Sequence, residues 1–309
     1  MPLIRPMLAV NGEPFDSPDF LYEVKWDGYR CLAYLEDGTV LRSRNLKDLT
    51  PAFPELANLH PLVKKRPALL DGEIVAFKNG LPSFAALQAR GRINDPLKIR
   101  RMAAVNPAIF VAFDVLYLGG ASLLAKPLKE RKEILAGAVG DGPLVISDFV
   151  FEKGKEFFEA CRERSLEGMV AKHLASPYLP GKRSRYWRKI RSTKEMDLII
   201  FGYEKGRGER KLGALLLADY FAGAFIYRGK VGTGFSKHEE EFLMELLKPL
   251  ETKHPPGDFL FRANTKNIHW VKPVLICTVS YLALTEDGLL RQPRYQKMRP
   301  DKIPFDENF

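Results

Sequence analysis

Beyond about Lys194 the chain reads as short apolar runs separated by Gly-rich turns, and this pattern limits its fold more than any other feature. Leu198 to Tyr203, Ala214 to Tyr220, Ala224 to Tyr227 and Val274 to Leu284 read as strands. One helix, Glu239 to Leu250, is expected among them, with Ser236 as its cap. Several strands around a single helix suit a small barrel such as an OB-fold.

Upstream the pattern is mixed. Phe20 to Trp26 and Arg30 to Tyr34 are expected strands joined at Asp27-Gly28, and Val40 to Arg42 continues them. Ala68 to Leu70 and Ile74 to Phe77 read as two strands flanking an Asp71-Gly72-Glu73 turn, and Ile109 to Leu118 as a buried strand. Ser83 to Ala89, Pro127 to Val139 and Gly154 to Arg164 read as helices, with Gly168 to Lys172 as one more strand. The expected fold is therefore α+β with antiparallel sheets over residues 1–193, followed by a β-barrel domain over residues 194–309. Each part is long enough to bury its own core.

Hydrophobic residues make up 46% of the chain and charged residues 28%, a globular composition that excludes a disordered or collagen-like polymer. Cys31, Cys161 and Cys277 are widely scattered, which reads as reduced cytosolic thiols, without a zinc site or disulfide framework. The opening residues are too short and Pro-broken for a secretory signal. The longest apolar run, Leu215 to Tyr227, is interrupted by Asp219 and Gly223 and falls below the roughly 20 residues of a membrane span. A soluble, cytoplasmic, monomeric protein is expected.

The net charge of +10 is concentrated. From Lys172 to Lys211 there are twelve Lys or Arg and four Asp or Glu, a surplus of eight. At its centre, Lys182-Arg183-Ser184-Arg185-Tyr186-Trp187-Arg188-Lys189-Ile190-Arg191 interleaves cations with two aromatics. A solvated linker accounts for a charge run as such. Concentration in one segment points instead to a polyanion held by counterion release, a nucleic acid, with Arg183 and Arg185 as backbone contacts.

Glu23-Val24-Lys25-Trp26-Asp27-Gly28-Tyr29-Arg30 places a Lys at the end of a strand beside a tight turn, from which an amine could act as a nucleophile. Alone, it would pass for a hairpin with an exposed Lys. It is followed in order by Ser43-Arg44-Asn45, Asp71-Gly72-Glu73, Phe113-Asp114-Val115, Glu167-Gly168-Met169-Val170-Ala171-Lys172, Trp187-Arg188-Lys189-Ile190-Arg191 and Arg299-Pro300-Asp301-Lys302. This order and spacing resembles the covalent nucleotidyltransferase superfamily of ATP-dependent DNA ligases and messenger-RNA capping enzymes. Within it, the chain is similar to the ligase domain of bacterial end-joining ligases of the D type. Phe53-Pro54-Glu55-Leu56, Pro82-Ser83-Phe84 and Leu87-Gln88-Ala89-Arg90 extend the resemblance along essentially the whole chain.

The resemblance implies an adenylation domain joined to an OB-fold domain. The implied activity is ATP-dependent sealing of 5′-phosphate/3′-hydroxyl nicks through a lysyl-AMP intermediate, in DNA repair or end joining. Lys25 would be the nucleophile. An amine attacks phosphorus only when uncharged, and nearby cations disfavour the ammonium. Lys189, Arg191 and a bound Mg²⁺ or Mn²⁺ would supply those cations and stabilise the phosphoryl transition state. Glu23, Arg30, Arg44, Glu73 and Phe113 would hold the nucleotide: Phe113 against adenine, Glu73 on the ribose, Arg30 and Arg44 on sugar and phosphate. Arg44 would also reach the DNA 5′-phosphate. Glu167, together with Glu73, would bind the metal through hard carboxylate oxygen. Arg299, Asp301 and Lys302 would orient the leaving pyrophosphate. Nicked duplex DNA and a Ku-like end-binding protein are the implied partners.

The fifth motif usually pairs two Lys around one apolar residue, whereas here the second is Arg191, which keeps the charge and adds a bidentate fork. The first motif lies so near the start that no separate upstream DNA-binding domain is expected. Base choice is not legible from these motifs, so an RNA ligase or a GTP-using capping-type enzyme stays open. A non-catalytic nucleic-acid-binding protein is the rival from another class.

Overall fold

The structure is a computed structural model. It describes the chain apart from residues 79, 89, 91, 92, 94, 141, 207, 209, 222, 256–266, 286, 303 and 305–309 and the side chain of Ala85. Ala89 of the expected Ser83 to Ala89 helix thus lies outside the described residues. The chain divides into two compact units, Met1–Ser192 and Thr193–Phe309.

The strands of the first unit are β1 (Leu8–Asn11), β2 (Ser17–Val24), β3 (Tyr29–Leu35), β4 (Thr39–Ser43), β5 (Ala68–Val75), β6 (Phe77–Lys78), β7 (Leu81–Pro82), β8 (Ile109–Leu118), β9 (Ala121–Ser122), β10 (Leu144–Ile146), β11 (Phe149–Glu152), β12 (Gly168–His173) and β13 (Arg183–Arg191). Its helices are α1 (Phe84–Gln88), α2 (Pro96–Val105), α3 (Leu128–Ala138) and α4 (Gly154–Glu163). One large sheet runs β1-β13-β12-β2-β11, the other β10-β8-β5-β3-β4 with β9 against β8, and β6 and β7 pair as a separate ribbon. Pairing inside both sheets is antiparallel. At one edge of each it is parallel, β1 with β13 and β10 with β8, so the sheets are mixed.

Burial follows the alternation of the strands. On the outer side of the second sheet, Ile74, Phe110, Ala112 and Val115 pack with Leu135 of α3. On its inner side Leu32, Leu69, Phe113 and Leu116 meet Met7, Tyr178 and Trp187. Tyr22, Met169 and Ile190 of the first sheet pack with Cys161 of α4. Each buried Leu, Ile, Val, Phe or Met side chain among these contributes about 1.5–3 kcal/mol.

One reading of the sequence needs correction, and two elements were not assigned by it. Asp71-Gly72-Glu73 is not a turn but the middle of continuous β5. A Cβ at Gly72 would lie 2.5 Å from the Val111 carbonyl oxygen and 2.6 Å from the Phe110 ring, so the glycine marks a close strand contact. The basic strip, to which the sequence reading gave no secondary structure, is strand β13, held by Trp187 buried toward Phe113 and Ile190 buried toward Tyr22 and Met169. Helix α2 was not expected, although Asp95 caps Leu97 and Lys98 and Pro96 opens the first turn.

In the second unit β14 (Lys194–Lys205), β15 (Leu212–Phe221), β16 (Ala224–Val231), β17 (Glu251–Thr252), β18 (Ile268–Tyr281) and β19 (Arg294–Met298) form one antiparallel OB-like half-barrel. Helix α5 (Lys237–Leu247) begins in a capping box: Ser236 Oγ accepts from Glu239 N, and Ser236 N donates to Glu239 Oε2. It sets Leu243, Met244 and Leu247 against Leu198, Leu215, Val271 and Cys277. No helix among the described residues is long and apolar enough to cross a membrane.

Candidate active site

A cleft of about 230 Å³ opens within the first unit, with one wall from β2, β12 and β13 and another from β3, β5 and β8. On the first wall Val170 pairs with both Glu23 and Lys189, so these three side chains form one row on one face. One step along, Lys172 pairs with Trp187. β2 ends at Val24, and Lys25 N donates to the Gly168 carbonyl at 2.9 Å. Gly168 has φ +131°, and a Cβ there would sit 2.1 Å from the Ile190 oxygen. Only glycine lets the backbone pass there, and Glu167, the residue before it, meets Lys25.

On the second wall Arg30 pairs with Glu73. Asp71 pairs with Asp114 but Gly72 with Ala112, leaving Phe113 as the extra residue of a β-bulge. The bulge turns Phe113 toward the cleft while Ala112 and Val115 both remain in the outer core.

Lys25 Nζ donates to Glu167 Oε2 at 2.6 Å, and Arg191 Nε donates to Glu167 Oε1 at 3.4 Å. Glu23 is nearly fully buried and ion-paired to Lys132 of α3 and, at 2.7 Å, to Lys172. Lys172 Nζ lies 4.1 Å from the Phe113 ring centre and 4.4 Å from that of Trp187. Arg30 grips Asp71 with a two-pronged fork, both bonds 2.6 Å, and its guanidinium stands 4.6 Å from the centre of the Phe113 ring. Tyr178 Oη donates to the same Asp71 at 2.6 Å and accepts from Met7 N at 2.9 Å.

The charges perturb one another. Burial pushes the Glu73 carboxyl up to about 8, against the opposing pull of Arg30 and Lys25, with Glu167 and Asp71 adding to the rise. Burial brings the Lys172 ammonium down to about 8, opposed by Glu23 and reinforced by Lys132. Lys189 is lowered by burial and then by Arg191, Arg183, Lys25 and Arg44, as expected of a cluster of like charges prepared for an anion.

Of the residues singled out from sequence, Glu23, Lys25, Arg30, Arg44, Glu73, Phe113, Arg183, Lys189 and Arg191 line this one cleft, and Glu167 touches Lys25 in it. Arg185 is exposed on the same strand, β13. Arg299, Asp301 and Lys302 belong to the second unit. There Arg299 binds Asp301 through Nε and Nη2 and Asp197 through Nη1, and Lys302 pairs with Asp197 at 2.9 Å. Asp71, Tyr178, Trp187, Lys132 and Lys172 were not foreseen as parts of the site. Asp71, Trp187 and Lys172 stood inside quoted motifs, whereas nothing in the sequence ties α3 to Glu23.

Among the described residues no three His, Cys, Asp or Glu gather as a metal cage. Glu73 lines the cleft and Glu167 contacts Lys25 in it, a pair of carboxylates of the kind that fits Mg²⁺, which usually takes one or two carboxylates plus substrate phosphates.

The family match agrees with this geometry. The ATP dependent DNA ligase domain matches residues 6–191, and the ATP dependent DNA ligase C terminal region matches residues 208–302. The chain belongs to the ATP-dependent DNA ligase family. Within that family it is similar to the multifunctional non-homologous end joining protein LigD of Mycolicibacterium smegmatis, 35% identical over 306 residues, which cover 97% of this chain and 39% of that protein. The DNA ligase of Thermococcus fumicolans is 32% identical over 325 residues, covering 97% and 56%. The chain thus spans well under two thirds of either relative. The crystal structure of the ligase domain of M. tuberculosis LigD superposes with a TM-score of 0.56 at 34% identity, covering 97% of this chain and 96% of that one. A mycobacterial DNA ligase D complexed with ATP and MES matches with the same identity and TM-score.

Proposed function

We propose that this ATP-dependent ligase seals nicks in duplex DNA in three steps, with Lys25 as the covalent carrier of AMP. The observation that carries the reading is the Lys25 amine, set at 2.6 Å from Glu167 in a cleft that also holds Arg44, Arg183, Lys189 and Arg191. In the first step Lys25 Nζ, having lost a proton, forms a bond to the α-phosphorus of ATP and the bond to pyrophosphate breaks. In the second, the 5′-phosphate of the nick takes AMP and frees Lys25. In the third, the 3′-hydroxyl attacks that phosphate and AMP leaves.

Phe113, aimed by its bulge, packs against the adenine, and Glu23 and Glu73 meet the base and ribose edges. Arg30, fixed by Asp71, supports Phe113 and the sugar. Arg44, Lys189 and Arg191 face the phosphates and stabilise charge as it builds on them. Glu73 and Glu167 hold Mg²⁺ or Mn²⁺, which polarises the phosphoryl oxygens when bound. Arg299, Asp301 and Lys302 orient the pyrophosphate, and Arg183 and Arg185 meet DNA phosphates. The similarity to LigD supports a role in end joining beside a Ku-like end-binding protein.

Incubation with α-labelled ATP or GTP tests the first step. ATP gives an acid-labile adduct, whereas labelling by GTP alone would contradict the reading. Sealing of nicked, 3′-ribonucleotide and blunt-ended substrates then separates nick repair from end joining, and equal inertness toward all three would count against DNA as substrate.

A further inference from the structure

Asp197 stands on β14, opposite Thr278 of β18, and gathers the C-terminal cations of the second unit. Its Oδ2 accepts from Arg299 Nη1 at 2.6 Å and faces Lys302 Nζ at 2.9 Å. Its Oδ1 accepts from the Thr278 hydroxyl. The Arg299–Lys302 turn is tied to the barrel by Arg299 N on the Ile276 oxygen and closed on itself by Lys302 N on the Arg299 oxygen. Asp301, on the far side of the guanidinium, takes Nε and Nη2. The Asp197 carboxylate is mostly buried, and although burial works the other way, Thr278, Lys302 and Arg299 keep its titration below the ordinary carboxylate range.

We infer that Asp197 is a positioning residue for adenylation, which fixes Arg299 and Lys302 in the arrangement that receives the leaving pyrophosphate. This rests on the reading that those two cations serve the pyrophosphate. Two effects oppose each other. Asp197 and Asp301 together neutralise Arg299 and Lys302, so removing Asp197 leaves one more positive charge for a polyanion. The charge would be left on the partly exposed Arg299 and Lys302, where it changes an equilibrium by less than about fivefold and is screened by salt. Losing the anchor sets two long side chains free, and a misplacement of about 1 Å in a group acting on the transition state costs about 10²-fold. Orientation therefore outweighs charge, and the inference predicts a slower reaction where charge alone predicts a faster one.

The test uses the full chain with Asp197→Asn, which keeps size and the Thr278 contact, and with the double variant Arg299→Ala/Lys302→Ala. Single-turnover adenylation by ATP and sealing of a pre-adenylated nick are measured for each, alone and combined. Asp197→Asn is expected to slow adenylation about fivefold or more, leave sealing within about twofold, and add nothing in the double-variant background, since it acts through those two residues. Full-speed or faster adenylation by Asp197→Asn, with the double variant slow, overturns the role of Asp197 alone. Equal slowing of both steps, or additive slowing in the triple variant, makes Asp197 a structural residue and also overturns the inference. Full-speed adenylation by the double variant instead removes the reading on which the inference rests.

Discussion

The Lys25 amine and the Glu167 carboxylate lie 2.6 Å apart, the lysine side chain 19% exposed and the glutamate 5%. An amine that donates to a carboxylate at this distance is a poor nucleophile, so under the proposed mechanism the pairing loosens before attack. If Lys25 serves only to carry AMP, Lys25→Ala abolishes labelling by ATP while a nick already bearing AMP is still sealed, because the last step uses only DNA groups and the other cleft residues. A persisting acid-labile adduct in the variant would assign the nucleophile elsewhere.

Glu167 has two partners, Lys25 on one oxygen and Arg191 on the other. A metal ion that takes this carboxylate competes with both cations. Glu167→Gln leaves the shape and removes the charge, so adenylation should fall at least tenfold, about 1.4 kcal/mol, and more Mg²⁺ should be needed to saturate it. Labelling measured across a Mg²⁺ titration checks both. An unchanged half-saturation with a lowered maximum would place Glu167 on Lys25 alone, not on metal.

The Glu73 carboxyl, raised from 4.5 to about 8 mainly by burial, makes a stability prediction of definite sign. Between these values the folded protein holds a proton that the unfolded chain has released. Unfolding then loses protons, and stability falls as pH rises through the window. Glu73→Gln cannot titrate, so the wild type should lose more stability than the variant between pH 5 and pH 8. Urea midpoints at both pH values decide it, and parallel losses would show that Glu73 is ionised throughout.

Buried Asp114 and Arg131 form a two-pronged pair with bonds of 2.7 and 2.9 Å, and neither is exposed to solvent. Arg131 also donates to the Ser176 oxygen, joining α3 to the chain after β12. Arg131→Met strands a buried carboxylate and should cost about 3–5 kcal/mol. Replacing Asp114 by Leu as well should recover part of that loss. A denaturant midpoint unchanged in the single variant would mean that water reaches Asp114.

How far the sequence could be read depended on whether the signal was local. Ile109 to Leu118 matches β8 residue for residue, because a bounded apolar run carries its own evidence. The Ser236 cap and helix α5 were legible for the same reason. The Phe113 motif was legible too, but the bulge that aims it was not, since a bulge depends on the partner strand. The continuity of β5 through Gly72 was hidden by the usual meaning of Asp-Gly as a turn. The Lys132–Glu23 pairing joins α3 to β2 and has no local mark at all. Arg183, expected on the DNA-facing strip, also lines the cleft that holds Lys25, a placement that a charge count does not reveal.

That last difference separates two neighbours on one strand. Both arginines are exposed, but Arg183 lines the cleft, donates to the Ala9 oxygen and adds to the lowering of Lys189. A phosphate contact made by Arg185 contributes about 0.9 to the slope of log affinity against log salt. Arg185→Ala should therefore weaken nick binding, flatten that slope by about one, and leave adenylation by ATP unchanged. Arg183→Ala should weaken nick binding too, but it also removes a cation from the nucleotide cleft, so the ATP concentration needed for half-maximal labelling should rise severalfold. Salt-dependent nick binding and single-turnover labelling of the two variants make the comparison. If both variants change only the salt slope, the two arginines serve DNA alike and the cleft needs no help from Arg183. If Arg185→Ala leaves the slope untouched, the exposed face of β13 does not meet the DNA backbone.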